Sequence, residues 1–267
     1  MRREWTLLPA IACFVGLSVS GYAQWYVLPI DGPGRGEYTS LEVDRFNRAY
    51  VSYYDRVRGS LWYAYFDGLS IVYDEVDQAG DVGKFSSLEL DGNGYAHIAY
   101  YADAPAQNLK YAYWDGGNWN RTVVDNGNVV ADWISLALDG SDRGHISYCR
   151  DDMLMHAWWD GSNWNLETVD PGPLVGYFSS IAVDASDFPH ISYWDSVKDS
   201  LSYAWWNGAT WQYETVDDQT SFSSLALDPS GVPHIAYQRS TFGLNSNLRY
   251  AYRSGATWAR EDVPYAP

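Results

Sequence analysis

One motif, repeated five times, constrains this chain more than any other feature. Residues Ser180–Asp217 show it most clearly: SIAVD, HISYW, LSYAWW and WQYETV, separated by DASDFP, DSVKDS and NGAT. Apolar and aromatic residues alternate at period two within each run, and Gly, Pro, Asn and Asp gather between runs. That is the pattern of four short strands joined by tight turns. The anchor serines Ser40, Ser87, Ser135, Ser180 and Ser224 stand 47, 48, 45 and 44 residues apart. A four-stranded unit of this period cannot bury its faces alone and must stack on copies of itself. The fold class is therefore all-β, a five-bladed β-propeller of four-stranded antiparallel blades.

The blades lie near 40–77, 87–125, 135–170, 180–217 and 224–264. Trp25–Asp31 reads as a further closing-type strand with no first three strands before it. Both Trp25–Asp31 and Trp258–Pro264 suit the outer edge of blade five. The short hairpin before Trp258 favours the C-terminal strand there, with the N-terminal one beside it as an extra edge strand. An edge carrying Trp25 and Val27 is a surface for self-association, blunted by Pro29.

Arg2 and Arg3 precede an apolar run, and Gly21-Tyr22-Ala23 supplies small residues at a cleavage site, so residues 1–23 read as a secretory signal peptide. The single propeller domain then spans 24–267, in a secreted or periplasmic protein with no membrane insertion. Cys13 leaves with the signal, so Cys149 has no intrachain partner and the core must supply the stability. The 14 Trp, 23 Tyr and 8 Phe provide that core. A formal charge of −17 argues against nucleic acid, whose binding depends on Lys and Arg.

Two spacings are constant: anchor Ser to the start of strand two, and third-strand Leu to the fourth-strand position. Two loops take all the variation. The Asp-to-Ser step is 9, 10, 10, 10 and 7 residues, and the Tyr-to-Leu step 8, 9, 6, 8 and 11. In a meandering blade these loops share one face, where variation on a fixed scaffold points to binding. Aromatics stand two residues before each anchor: Tyr38, Phe85, Trp133, Phe178 and Phe222. Beside them come Tyr54, Asp55, Tyr101, Asp103, Arg150, Trp194, Asp195 and Arg239. Rings with one charged group per cleft suit a sugar, and blade packing accounts for the same residues.

His97, His145, His190 and His234 each follow an Asp by six residues, which reads as a hydrogen bond pinning a hairpin. One histidine per blade is too dispersed for a shared metal, and no metal site is expected. The turns DGNG and DGSDRG share Asp and Gly with calcium loops but lack the closing bidentate Glu. Hairpin chemistry explains them, calcium being the lesser alternative, and no other cofactor is implied. The weak catalytic candidates are Glu42 and Glu89, at equivalent positions of adjacent inner strands.

The Trp strand, aromatic-x-Ser-Leu strand, Asp-x-x-Gly turn and Tyr-rich third strand resemble the repeats of secreted bacterial β-propeller proteins. In blade number and repeat length the layout is similar to five-bladed tachylectin-type lectins. That resemblance implies a non-enzymatic module for a glycan or cell-surface partner, bound in clefts between blades. A glycan-processing enzyme using Glu42 and Glu89, and an interaction scaffold, stay open as alternatives.

Overall fold

The computed structural model describes residues 30–32, 35–103, 105, 107–241 and 245–264. The signal-like segment and Trp25–Pro29 lie outside them. Blade one comprises β1 (Arg35–Val43), β2 (Ala49–Asp55), β3 (Ser60–Phe66) and β4 (Ile71–Asp77). Blade two comprises β5 (Val82–Leu90), β6 (Ala96–Ala102), β7 (Asn108–Trp114) and β8 (Trp119–Asp125). Blade three comprises β9 (Val129–Leu138), β10 (Gly144–Arg150), β11 (Met153–Trp159) and β12 (Trp164–Asp170). Blade four holds β13 (Val175–Val183), β14 (Pro189–Asp195), β15 (Ser200–Trp206) and β16 (Trp211–Asp218). Blade five holds β17 (Thr220–Leu227), β18 (Pro233–Thr241), β19 (Asn245–Ser254) and β20 (Thr257–Asp262). Each sheet is a four-stranded antiparallel meander in chain order.

The hairpin from first to second strand is set by one aspartate per blade. Asp91 Oδ1 accepts from the N–H groups of Asn93 (2.9 Å) and Tyr95 (2.7 Å). Asp139, Asp184 and Asp228 repeat this double cap. Such caps replace the hydrogen bonds a tight turn loses, and they explain the Asp and Gly of these turns without an ion. Asp142 and Asp187, at φ 60° and 63°, also reach the preceding blade: their carboxylates accept from Gly92 N (3.0 Å) and Gly140 N (2.8 Å).

The first strands begin several residues before their anchor serines, because a bulge precedes each one. At every bulge the aromatic takes a left-handed backbone: Tyr38 φ 53°, Phe85 53°, Trp133 69°, Phe178 53° and Phe222 48°. Such a conformation costs an L-residue on the order of 1–2 kcal/mol. Part of the compensation is visible. The turned-out carbonyls of Tyr38, Trp133 and Phe178 accept the hydroxyls of Ser86 (2.9 Å), Ser179 (3.3 Å) and Ser223 (3.3 Å) in the next blade. At Gly83 and Gly176 in these strands, a Cβ would stand 2.7 Å from the Cα of Leu61 and of Leu154 in the preceding blade. Only glycine permits that approach.

The core is divided among the blade junctions. One cluster joins Leu61, Tyr63 and Val76 of blade one to Leu88, Ile98 and Tyr100 of blade two. The fourth-strand tryptophans seal the next layer outward by packing edge-on against the preceding blade. Trp119 meets Tyr63, Trp164 meets Tyr111, Trp211 meets His156 and Trp258 meets Tyr203, with centroids 4.8–5.6 Å apart. The anchor hydroxyls complete the junction: Ser40, Ser87, Ser135 and Ser180 accept from the N–H groups of Leu88, Leu136, Ile181 and Leu225 at 3.0–3.1 Å.

Each junction also carries an aspartate at the end of the fourth strand, buried at Asp77 and Asp125 and half-buried at Asp170 and Asp217. Asp77, Asp125, Asp170 and Asp217 accept the hydroxyls of Tyr100, Tyr148, Tyr193 and Tyr237 in the following blade, all at 2.7 Å. Lys110, Arg150 and Arg249 neutralise Asp77, Asp125 and Asp217. Burial pushes Asp77 and Asp217 up. The bonds from Lys110 and Tyr100, and from Tyr237 and Arg249, outweigh it and hold both carboxyls below their ordinary range.

β20 completes blade five, as the short hairpin implies, and the expected place of Trp25–Pro29 beside it falls outside the described residues. Ile30 and Asp31 sit on blade one. Asp31 accepts from Tyr53 (2.8 Å) and Arg35 (2.9 Å), while Ile30 packs with Val51, Tyr53 and Ala64. Tyr53 is the second-strand tyrosine that every blade offers to the aspartate before it, and Asp31 is the aspartate within reach. Blade five cannot supply one, because Pro264 stands at its equivalent position.

Tyr148 is fully buried, so Tyr148→Phe strips a donor from Asp125 without opening space. Loss of a hydrogen bond to a buried charge should lower stability by about 1.5–3 kcal/mol. Urea unfolding of this variant and the parent measures it, and an unchanged midpoint would show the bond to be dispensable.

Candidate functional site

The face carrying the variable loops places the candidate ligand residues mostly in internal pairs. Asp55 is fully buried, caps the N–H groups of Val57 and Arg58, and pairs with Arg35 at 3.2 Å. Asp195 is likewise buried and pairs with Lys198 at 2.6 Å. Lys84 bridges Asp81 (2.9 Å) and Asp103 (2.5 Å), and Tyr54 donates to Asp81 at 2.5 Å. Arg150 is held by Asp125, and Arg239 by Asp218 at 3.1 Å. Tyr101 is buried, and Trp194 packs on Phe178 and Tyr177. Saturated groups of this kind stiffen loops and leave little hydrogen-bonding capacity for a ligand.

The five bulge aromatics meet one another rather than opening separate clefts. Tyr38 and Phe85 have centroids 4.1 Å apart, Trp133 and Phe178 3.7 Å, Phe178 and Phe222 4.0 Å. Tyr38 and Phe222 keep 40% and 53% of their surface exposed.

Glu42 and Glu89 do come together, on adjacent first strands. Burial pushes the Glu89 carboxyl up to about 8, with the Glu42 charge adding to it, and burial raises Glu42 as well. Glu89 therefore keeps its proton at neutral pH beside a second carboxyl.

Concavities of similar size lie on both faces: one of about 460 Å³ opens beside the variable loops at Asp170, Pro171 and Lys198, and two lie on the opposite face, between the fixed hairpins. A cleft of about 470 Å³ separates blades two and three, lined by His97, Tyr113, Arg121, Asp142, Trp159 and Trp164 among others. A second, of about 450 Å³, separates blades three and four, with Arg143, Trp158, Trp159, Asp160, Asp187 and Trp206 in its wall. Trp159 borders both. Each cleft presents half-buried indoles beside charged groups, as a sugar site needs: apolar faces for C–H surfaces and a few polar groups to fix hydroxyls.

The histidines form the inner wall of this face. In three blades their nearer partner is a third-strand tyrosine, and the expected hydrogen bond to the aspartate is made at His190, whose Nε2 lies 3.4 Å from Asp184. The hydroxyls of Tyr111, Tyr203 and Tyr250 lie in very short contact with Nδ1 of His97, His190 and His234. The aspartates stand further off, at 3.4–3.8 Å from Nε2. Blade three breaks the pattern. There His156 takes the tyrosine's place, 3.0 Å from His145 and 2.9 Å from Glu167. Burial, then repulsion from His156, pushes His145 down to about 4. The departure was readable as Leu154-Met-His-Ala in place of Leu-x-Tyr-Ala. Among the described residues, no group of three or more His, Cys, Asp or Glu is arranged to hold a metal ion.

No protein-family model matches this chain, and no curated protein sequence matches it. Solved structures do resemble it. The SapL1 lectin, in complex with α-methyl fucoside, superposes with a TM-score of 0.64 over 86% of this chain and 80% of that one, at 15% identity. A fucose-recognising lectin from Aleuria aurantia, described as a six-bladed β-propeller, gives 0.55 over 81% and 74%, at 13% identity. A polysaccharide lyase acting on ulvan gives 0.53 over 86% and 70%, also at 13%. At such identities the likeness shows a propeller fold that lectins and an enzyme share.

The raised Glu89 carboxyl has a consequence for stability. Between the ordinary value of 4.5 and about 8, the native state keeps a proton that the unfolded chain has lost. Its contribution is therefore complete below that window and disappears as pH rises through it. Glu89→Gln should flatten this decline, read as melting temperature against pH from 4 to 9. A parent profile already flat there would contradict the half-buried carboxyl pair.

Proposed function

We propose that this chain is an exported, non-enzymatic glycan-binding module. The observation that carries the reading is the repeated cleft between neighbouring hairpin faces, where half-buried indoles stand beside Arg, Asp and Asn side chains in a propeller of the lectins' kind. The variable-loop face supports it less, because its charged groups already satisfy one another. Sugar faces would stack on Trp159 and Trp206, and Arg121, Arg143 and Asp160 would bind hydroxyls. Export rests on the basic and apolar start of the sequence.

A second reading, glycan cleavage, has one observation in its favour. Glu42 and Glu89 form a carboxyl pair with one member protonated near neutrality, the state a general acid requires. Release of reducing ends from bound polysaccharides, lost in Glu89→Gln, would support that reading over the first.

A glycan array with the purified chain should give binders. Trp159→Ala should then weaken a hit by about 1–3 kcal/mol, as loss of a stacking anchor does. Asp195→Asn, on the other face, should leave the affinity unchanged. Loss of binding on Asp195→Asn alone would return the site to the variable loops, and an array without binders would remove the glycan reading.

A further inference from the structure

The aspartates at the blade junctions are not all served alike. Lys110 neutralises Asp77, Arg150 Asp125 and Arg249 Asp217, while Arg35 pairs with Asp31 at 2.9 Å. Asp170 is the exception: among the described residues its carboxylate accepts from Gly172 N (2.9 Å) and the Tyr193 hydroxyl (2.7 Å), and no Lys or Arg pairs with it. The repeat shows why. Lys110 and Arg249 each follow the third-strand leucine, Leu109 and Leu248, and at that position blade four has Ser202, after Leu201. Blade three has Met155 there and replaces the cation with Arg150, at the end of its second strand. Blade four has Asp195 at that second position. Neither route brings a positive charge to Asp170.

The missing side chain leaves room. A cavity of about 460 Å³ opens among Asp170, Tyr193, Ser202, Tyr213 and Thr215. Ser202 stands opposite Thr215 as Lys110 stands opposite Val123, so the cavity opens at the register from which Lys110 reaches its aspartate. Tyr193 adds an aromatic ring of the kind that Lys110 uses, its Nζ lying 5.6 Å from the centroid of the equivalent Tyr100. The other charged groups of the wall have partners of their own. Lys198 is 66% exposed and holds Asp195 at 2.6 Å, and Glu214 pairs with Arg253 at 3.1 Å. A half-buried carboxylate with two donors keeps lone pairs to fill, and a cation that fills them offsets the loss of water.

We infer that the cavity at Asp170 binds an alkylammonium group from outside the chain, in the place that Lys110 occupies at its own junction. The inference does not depend on glycan binding. The probe is n-butylammonium chloride, titrated into the full chain and followed by ligand-observed NMR, with 1-butanol as the uncharged control. The ammonium should bind about tenfold or more tightly than the alcohol, as a charged hydrogen bond provides. Asp170→Asn should remove that preference. Ser202→Lys should end binding and raise the melting temperature by supplying the cation from within, which keeps the test valid should Asp170→Asn fold poorly. A lysine tripeptide with blocked termini distinguishes the source. Tighter binding than butylammonium would assign the site to a protein side chain, and weaker binding to a small free amine, and each supports the inference. Equal affinity for butylammonium and butanol overturns it, and so does binding that survives Ser202→Lys. Binding seen in Lys198→Ala but not in the parent chain also overturns it, since Lys198 would then be the resident cation.

Discussion

The fold depends on a carboxylate, buried or half-buried, at each blade boundary. An aspartate ending a fourth strand accepts a tyrosine hydroxyl from the second strand of the next blade. It also caps its own loop, as Asp77 does for Ala79 N (3.0 Å) and Asp125 for Gly127 N (2.8 Å). A charge taken from water is costly unless its lone pairs are filled, so these contacts fix the distance and rotation between sheets more tightly than apolar packing could. Hydrophobic burial supplies most of the driving force, since clusters of Leu, Ile, Val and Tyr straddle every boundary. The aspartates decide where that burial occurs. Because strand packing among the described residues runs chiefly between neighbouring blades, the molecule is a chain of junctions.

Much of this was legible in the residues. The constant Ser-to-His and Leu-to-Trp spacings marked the strands and hairpins, and the many aromatic residues pointed to an aromatic core, to which Trp119, Trp164, Trp211 and Trp258 contribute between blades. Contacts across the period were harder to read. The His partner lies in a third strand, and only the sheet register brings Tyr111 to His97 and His156 to His145. Nothing in the spelling of Tyr38 or Phe178 announces a positive φ, since the bulge arises where an inner strand turns its carbonyl to the next blade's serine. The nine-residue step from Asp31 to Ser40 tied Asp31 to blade one, and the structure adds its bond with Tyr53. Val263-Pro264, where other repeats have Val-Asp, was the available signal that blade five could not hold Tyr53.

The same geometry sorts the faces by chemical capacity. Loops of varying length look like binding elements, yet Asp55, Asp103, Asp195, Arg150 and Arg239 spend their charge on neighbouring groups of the chain. The fixed hairpins leave indoles, arginines and carboxylates around open clefts, because the inner wall is occupied by His and Tyr pairs that face inward. Repetition gives similar clefts at successive boundaries, which suits multivalent recognition of repeating units. The Glu42 and Glu89 pair breaks the repeat near the first strands and belongs to a different kind of chemistry.

The central claim is that Asp31 takes the place of a preceding blade's closing aspartate. A double-mutant cycle with Asp31→Asn and Tyr53→Phe, followed by denaturant unfolding, tests it most directly. The account predicts a favourable coupling on the order of 0.5–3 kcal/mol, comparable with that for Asp125 and Tyr148. A coupling of zero at Asp31, with the Asp125 cycle intact, would contradict it.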